Sequence, residues 1–344
     1  MKIIAVEEHF TTPALRDANA DHPLVLHLLD LERKRIEGGS GPAVPPQLSR
    51  LLVELGEQRI ADMDAAGIDV QVLSQTTPGP ETLRASTAVR LAAEANDALA
   101  EAIAAHPDRF AGFATLPTPD PAAATKELER AVDNLGFVGA LTSGHVNGRY
   151  LDDRSFWPIF EAAEALNVPL YLHPALPPQA VMEASYSGFS PAVNAALAGG
   201  GWGWHIDTGL HVLRLILAGV FDRFPRLGLI VGHMGEVLPS MVWRANRIMN
   251  GVSGLDRPIQ EYFTENIYVT TSGIFDYAPF AAAMHALGTD RILFAVDYPY
   301  SRNEEARAFL AGLPVSTPDK EKIAHANAER LLRLNERRTA VPPR

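Results

Sequence analysis

Five side chains able to bind a metal ion or carry a proton stand where short apolar runs of this chain end. They are Glu7 and His9 after Ile3–Val6, His173 after Val168–Leu172, His233 after Leu229–Val231 and Asp297 after Asp290–Val296. Two imidazoles and two carboxylates complete the coordination shell of one divalent ion, a donor mixture that suits Zn²⁺ or Mn²⁺. The remaining histidine is then available as an acid or base. The chain contains no cysteine, which excludes thiolate metal sites, disulfides and cysteine nucleophiles and leaves histidine and carboxylate as the donors for any ion. A single interior His or Asp is more often a satisfied structural residue than a functional one. Five arriving together at strand ends carry far more weight.

What must place them is a set of buried parallel strands. The run Leu229, Ile230, Val231 is too continuous for a strand with one wet face and reads as covered on both sides. Gly232 and Gly235 bracket His233, and an apolar helical segment, 237–247, follows. In the segment Ile3–Phe10 the period of two puts Glu7 and His9 on one face and Glu8 on the other. Further strands are expected at 70–74, 111–116, 137–141, 168–172, 266–271 and 290–296, and helices at 49–65, 82–105, 121–135, 154–166, 210–220, 277–287 and 319–334. Strands alternating with helices eight times over predict an α/β fold of the (β/α)₈ TIM barrel type, one domain over residues 1–334 with its chemistry at the C-terminal strand ends. Two long loops, 11–48 (with Gly38–Pro42) and 175–203, interrupt the alternation, and a polar tail, 335–344, follows it. No Gly-x-Gly-x-x-Gly follows the first strand, so a dinucleotide fold has little support.

The formal net charge of −11 and sequence pI of about 5.5 argue against nucleic acid or an anionic membrane as partner. Small molecules are the expected ligands. The N-terminal apolar run is shorter than a signal-peptide core, and no stretch reaches the roughly 20 apolar residues of a membrane span, so a cytoplasmic location is expected.

The strand-end set resembles the amidohydrolase superfamily, whose barrel carries a first-strand pair of metal ligands and then His, His and Asp on strands five, six and eight. Hydrolytic members begin with His-x-His, whereas this chain has Glu7-Glu8-His9. The lysine by which many members bridge two metals from strand four is absent from Ala140-Leu141-Thr142-Ser143. One divalent metal ion (Zn²⁺ or Mn²⁺) is therefore expected, on Glu7, His9, His173 and Asp297. Glu7-x-His9, His173-Pro174, Gly232-His233-Met234-Gly235-Glu236, Trp243-Arg244 and Asp297-Tyr298-Pro299, with the stretches Leu55–Asp64 and Gly148–Asp152, are similar to the decarboxylase branch that includes γ-resorcylate and 5-carboxyvanillate decarboxylases.

That resemblance implies non-oxidative decarboxylation of a small aromatic carboxylic acid of the 2-hydroxybenzoate type. It makes Asp297 the proton donor to the ring, His233 its neighbour at the substrate oxygens, and Glu236 the group that orients His233. Arg244, Trp202, Trp204 and Tyr300 are candidates for holding or walling the ring, each with core or surface packing as the plainer alternative. His145, His205 and His211 lie at no strand end and stay unassigned. The resemblance also implies a homodimer or homotetramer with the two long loops in its contacts. Competing functions are a lactone or amide hydrolase in which the ion activates water, a hydratase of an unsaturated diacid, and a barrel without catalysis that binds a partner. The filled ligand positions weigh against the last.

Overall fold

Eight short parallel strands pair in chain order, β1 (Ile4–Phe10), β2 (Val70–Gln75), β3 (Phe110–Thr115), β4 (Gly139–Ser143), β5 (Leu170–His173), β6 (Leu229–Val231), β7 (Ile267–Thr270) and β8 (Ile292–Leu293). The computed structural model describes residues 1–36 and 47–336. The expected Gly38–Pro42 loop and all but the start of the expected 335–344 tail lie outside the described residues. The ladder is nearly closed, and the seam between β8 and β1 is made beyond the end of β8. There Val6 N donates to Phe294 O (3.1 Å), Asp297 N to Glu7 O (3.0 Å) and His9 N to Tyr298 O (2.6 Å). The fold is the expected (β/α)₈ TIM barrel.

Every residue of β1, β2, β3 and β4 is buried, as both faces must be when helices cover the outside and side chains fill the inside. Ile4, Val6, Val72, Phe113, Tyr171 and Ile230 pack inside the barrel. A second, larger cluster fills the layer between strands and helices. Glu8, on the opposite face from Glu7 and His9, is a structural strut: its carboxylate accepts from Val296 N (2.8 Å) and Tyr298 N (3.2 Å), stitching β1 to the chain beyond β8. Burial, opposed by those backbone bonds, holds its carboxyl well above the ordinary value. Arg59, itself fully buried, braces the same seam through its donation to His9 O (2.7 Å).

Several expected boundaries move for local reasons. The helix expected at 49–65 is two, Leu48–Val53 and Glu57–Ala66, because Gly56 enters the second with φ −121° and ψ −133°, outside helical space. The loop expected at 175–203 is largely helical, with Gln179–Ser185 and Pro191–Ala198. The second of these has Ser190 as N-cap, accepting from Val193 N, and proline in its first turn. The loop expected at 11–48 likewise holds Pro13–Ala18 and Pro23–Ile36. Two helices not expected at all, Ile259–Asn266 and Asn303–Gly312, lie before β7 and after β8. Among the described residues no helix is long and apolar enough to cross a membrane.

Candidate metal centre

Glu7 reaches into the mouth of the barrel with its two oxygens differently occupied. Oε2 accepts from the Tyr171 hydroxyl and from Thr270 Oγ1 (3.0 Å). Oε1 accepts from no donor although it is buried, and it lies 3.3 Å from His173 Nε2 and 3.9 Å from both His9 Nε2 and His233 Nε2. Asp297 closes the ring, with Oδ1 3.2 Å from His9 Nε2 and Oδ2 3.6 Å from His233 Nε2. Ligand atoms of Glu7, His173, His233 and Asp297 all fall within 4.8 Å of one another. His9 adds a fifth ligand-type atom, a nitrogen, also buried and without a hydrogen bond at Nε2.

These residues fit a divalent ion. Two orphaned buried atoms pointing at one spot would cost about 1–3 kcal/mol each if left unmatched; a cation matches both. His173 supports this, since its Nδ1 donates to Pro174 O (2.8 Å), which leaves the Nε2 lone pair facing Glu7. The electrostatics agree. Burial alone would raise Glu7, but His233, His173 and His9 hold its carboxyl well below the usual carboxylate range. Burial would also raise Asp297, and the attraction of the neighbouring His233 and His9 brings it below its ordinary value. His9 is pushed down by burial. His233 goes the other way: burial lowers it, but Glu236 and Glu7 hold it well above an ordinary histidine.

The backbone that delivers His233 is strained. His233, Met234, Glu236 and Val237 all take left-handed φ of 48°, 56°, 53° and 69°, and Asp297 takes 73°. Non-glycine residues there cost on the order of 1–3 kcal/mol each, which neighbouring structure must offset. Gly232 before them is needed for space: a Cβ would stand 3.0 Å from Glu7 Oε2 and 3.2 Å from the Tyr171 hydroxyl.

Glu236 sits where the tight turn points it back at His233, with Oε1 2.7 Å from His233 Nδ1. Its other oxygen is 2.6 Å from Nδ1 of His205, a residue the strand-end rule passes over because it lies in the helix Gly203–Leu217. These separations are hydrogen-bond lengths that occupy both carboxylate oxygens, so the His205, Glu236, His233 group is a bonded bridge and not a second ion site. A cavity of about 470 Å³ opens above, walled by Trp202, Trp204, Ile274 and Pro279, with His233 and Asp297 at its polar end. Tyr300 lies on the other side of the cluster, its ring 5.8 Å from that of His9 and its hydroxyl bonded to Thr76 (2.7 Å). Arg244 is exposed on the helix Leu238–Ser253 and lines no part of the cavity. His211 serves structure, accepting from Leu151 N (2.8 Å), and His145 accepts from Gly148 N (3.0 Å).

Glu81, after β2, is a buried carboxyl absent from the sequence-based set. Gly79 N donates to its Oε1 (2.7 Å), yet burial raises its pKa from 4.5 to about 7. A carboxyl raised on folding favours the protonated folded chain. The linked stability is full below pH 4.5 and is lost as pH rises through 7, by about 3 kcal/mol in all. Glu81→Gln should therefore gain stability over the unchanged protein between pH 5 and pH 8, as read by urea unfolding at both; a difference independent of pH would refute the shift.

The chain matches the family described as Amidohydrolase over residues 20–334. It is 39% identical to a γ-resorcylate decarboxylase of Polaromonas sp., covering 84% of this chain and 91% of the relative. Its fold superposes on a 5-carboxyvanillate decarboxylase of Sphingomonas paucimobilis with a TM-score of 0.86 and 34% identity, over 96% of this chain and 99% of that one. It also superposes on a dihydroxybenzoic acid decarboxylase of Polaromonas sp., solved with manganese and the inhibitor 2-nitroresorcinol, with a TM-score of 0.85 and 36% identity over 97% of both chains. With ligand-type residues gathered at the C-terminal ends of a (β/α)₈ barrel and the family match running through nearly all of it, the chain belongs to the amidohydrolase family.

Proposed function

We propose that this protein is a metal-dependent, non-oxidative decarboxylase of 2-hydroxybenzoate-type acids. The observation that carries this is the double placement of Asp297, which belongs to the ligand-type cluster and also lines an aromatic-walled cavity. One ion, manganese or zinc, on Glu7, His9, His173 and Asp297 suits the mixed donors and accords with the manganese in a relative. Such an ion supplies Lewis-acid stabilisation of negative charge on the substrate's carboxylate and hydroxyl oxygens.

The residues supply position and proton. Trp202 and Trp204 wall the ring. An aryl carbanion is too unstable to form unassisted, so Asp297 delivers a proton to the carboxyl-bearing carbon first. The C–C bond then breaks, its electron pair restores the aromatic ring and carbon dioxide leaves. Asp297, now a carboxylate, is reprotonated through His233, whose Nε2 is 3.6 Å from Oδ2 and whose ring Glu236 orients. Tyr300, its ring beside that of His9, completes the assigned set, whereas Arg244 points away from the cavity that takes the ring. Assembly into a homodimer or homotetramer is part of the same proposal, supported by the exposed Phe189, Val193 and Trp202 on the helical insertion.

The test is a panel of 2-hydroxybenzoates with the metal-loaded enzyme in D₂O. One deuterium should appear at the carbon that lost carbon dioxide, with no ¹⁸O taken from labelled water. Incorporation of ¹⁸O into a cleaved ester, lactone or amide, with every hydroxybenzoate untouched, would replace the decarboxylase with a hydrolase.

A further inference from the structure

His205 lies in the first turn of the helix Gly203–Leu217. Four residues on, and so on the same face of that helix, Gly209 brings it against the backbone of Glu236, where a Cβ would stand 2.7 Å from the Glu236 carbonyl oxygen. Only a glycine permits that approach. The helix is thereby held to the Glu236 turn backbone against backbone, and the meeting of the His205 ring with the Glu236 carboxylate follows from that contact. Glu236 is 2% exposed, so losing either histidine leaves a buried carboxylate oxygen without its donor. At its other edge His205 Nε2 is 3.0 Å from Trp204 Nε1, a group that can only donate, and 3.1 Å from the Gly200 carbonyl oxygen. A neutral ring that donates from Nδ1 accepts there from the indole N–H. Trp204 in turn packs on Gly200, where a Cβ would meet its Cζ2 at 2.9 Å.

We propose that His205 is a positioning residue: it fixes the Glu236 carboxylate, and through it turns His233 Nε2 towards Asp297, while tying that orientation to the tryptophan wall of the cavity. Without it the carboxylate rotates about its last bond, and the His233 ring, bonded to the other oxygen, follows. The kinetic arm of the test rests on the decarboxylase reading; the spectroscopic arm does not.

His205→Phe keeps a ring in place and removes both bonds. Its kcat should fall about 10–100-fold with KM within about twofold and metal content unchanged, the size expected when an outer hydrogen-bond partner is lost. His205→Asn, whose amide nitrogen occupies the place of Nδ1, should recover most of that loss. Equal losses in the two variants, or full turnover in His205→Phe, would overturn the proposal, because a merely structural ring would not discriminate between them. Independently of activity, the downfield proton resonance of His233 Nδ1–H should move in His205→Phe; an unmoved resonance refutes the positioning role. If that resonance moves while the unchanged protein decarboxylates no hydroxybenzoate, positioning stands and the decarboxylase reading falls.

Discussion

Asp297→Asn, in protein shown by elemental analysis to retain its metal, is expected to lower turnover on the order of 10³-fold while substrate binding survives. An amide oxygen can still face the ion, and the amide has nearly the shape of the carboxyl, so geometry is largely kept. What is lost is an acidic proton at the one carboxylate of that cluster that also lines the cavity, beside His233. The signature is a collapse in kcat with little change in the dissociation constant of a non-reacting analogue. A metal-bearing variant that turns over at near the unchanged rate would move the proton donor elsewhere, with His233, 3.6 Å away, the first alternative.

Glu7→Ala is expected to abolish metal retention, from one equivalent per chain to less than about a tenth, and with it activity by more than about 10³-fold. The argument is electrostatic. Glu7 Oε1 is the common neighbour of His9, His173 and His233, so removing it leaves imidazoles facing one another in a buried space with a single carboxylate, Asp297. It also strips the Tyr171 hydroxyl and Thr270 of their shared acceptor, which adds a stability cost of about 1–3 kcal/mol for unmatched buried groups. Glu7→Gln separates the two effects, since it can still accept from Tyr171 and Thr270 but carries no charge. If either variant binds metal as tightly as the unchanged protein, Glu7 is no ligand. Two equivalents of metal in fully active unchanged protein would equally overturn the single-ion site.

The barrel was legible because its strands are buried on both faces and so spell continuous apolar runs: β6 and the helix Tyr277–Leu287 have the bounds expected from sequence. The eighth strand was harder. Residues 290–296 read as one strand, but only Ile292–Leu293 are in β8, because the next three N–H groups leave the ladder: Phe294 N donates to Ile323 O, Ala295 N to Thr271 Oγ1 and Val296 N to the Glu8 carboxylate. Residues at strand ends were legible for the same reason as the strands. His205 and Glu81 were not, because a helix N-terminal turn and a loop after β2 bring them in through tertiary packing that no periodicity records. Arg244 shows the converse, a charged residue close in sequence to the site that the fold turns outward.

The seam has a bearing on how the molecule comes into being. Glu7 and Asp297 face the same spot, and the hydrogen bond from Tyr298 N to Glu8 spans 290 positions. A nascent chain leaving the ribosome thus holds its first ligands from the start but cannot assemble the coordination cage until the last strand has emerged and joined the first. Contacts of such sequence separation form late and slowly. With the ion site proposed above, ion capture would be the closing event of synthesis, and a polypeptide halted before residue 297 should leave the ribosome without metal, however well its earlier strands have paired.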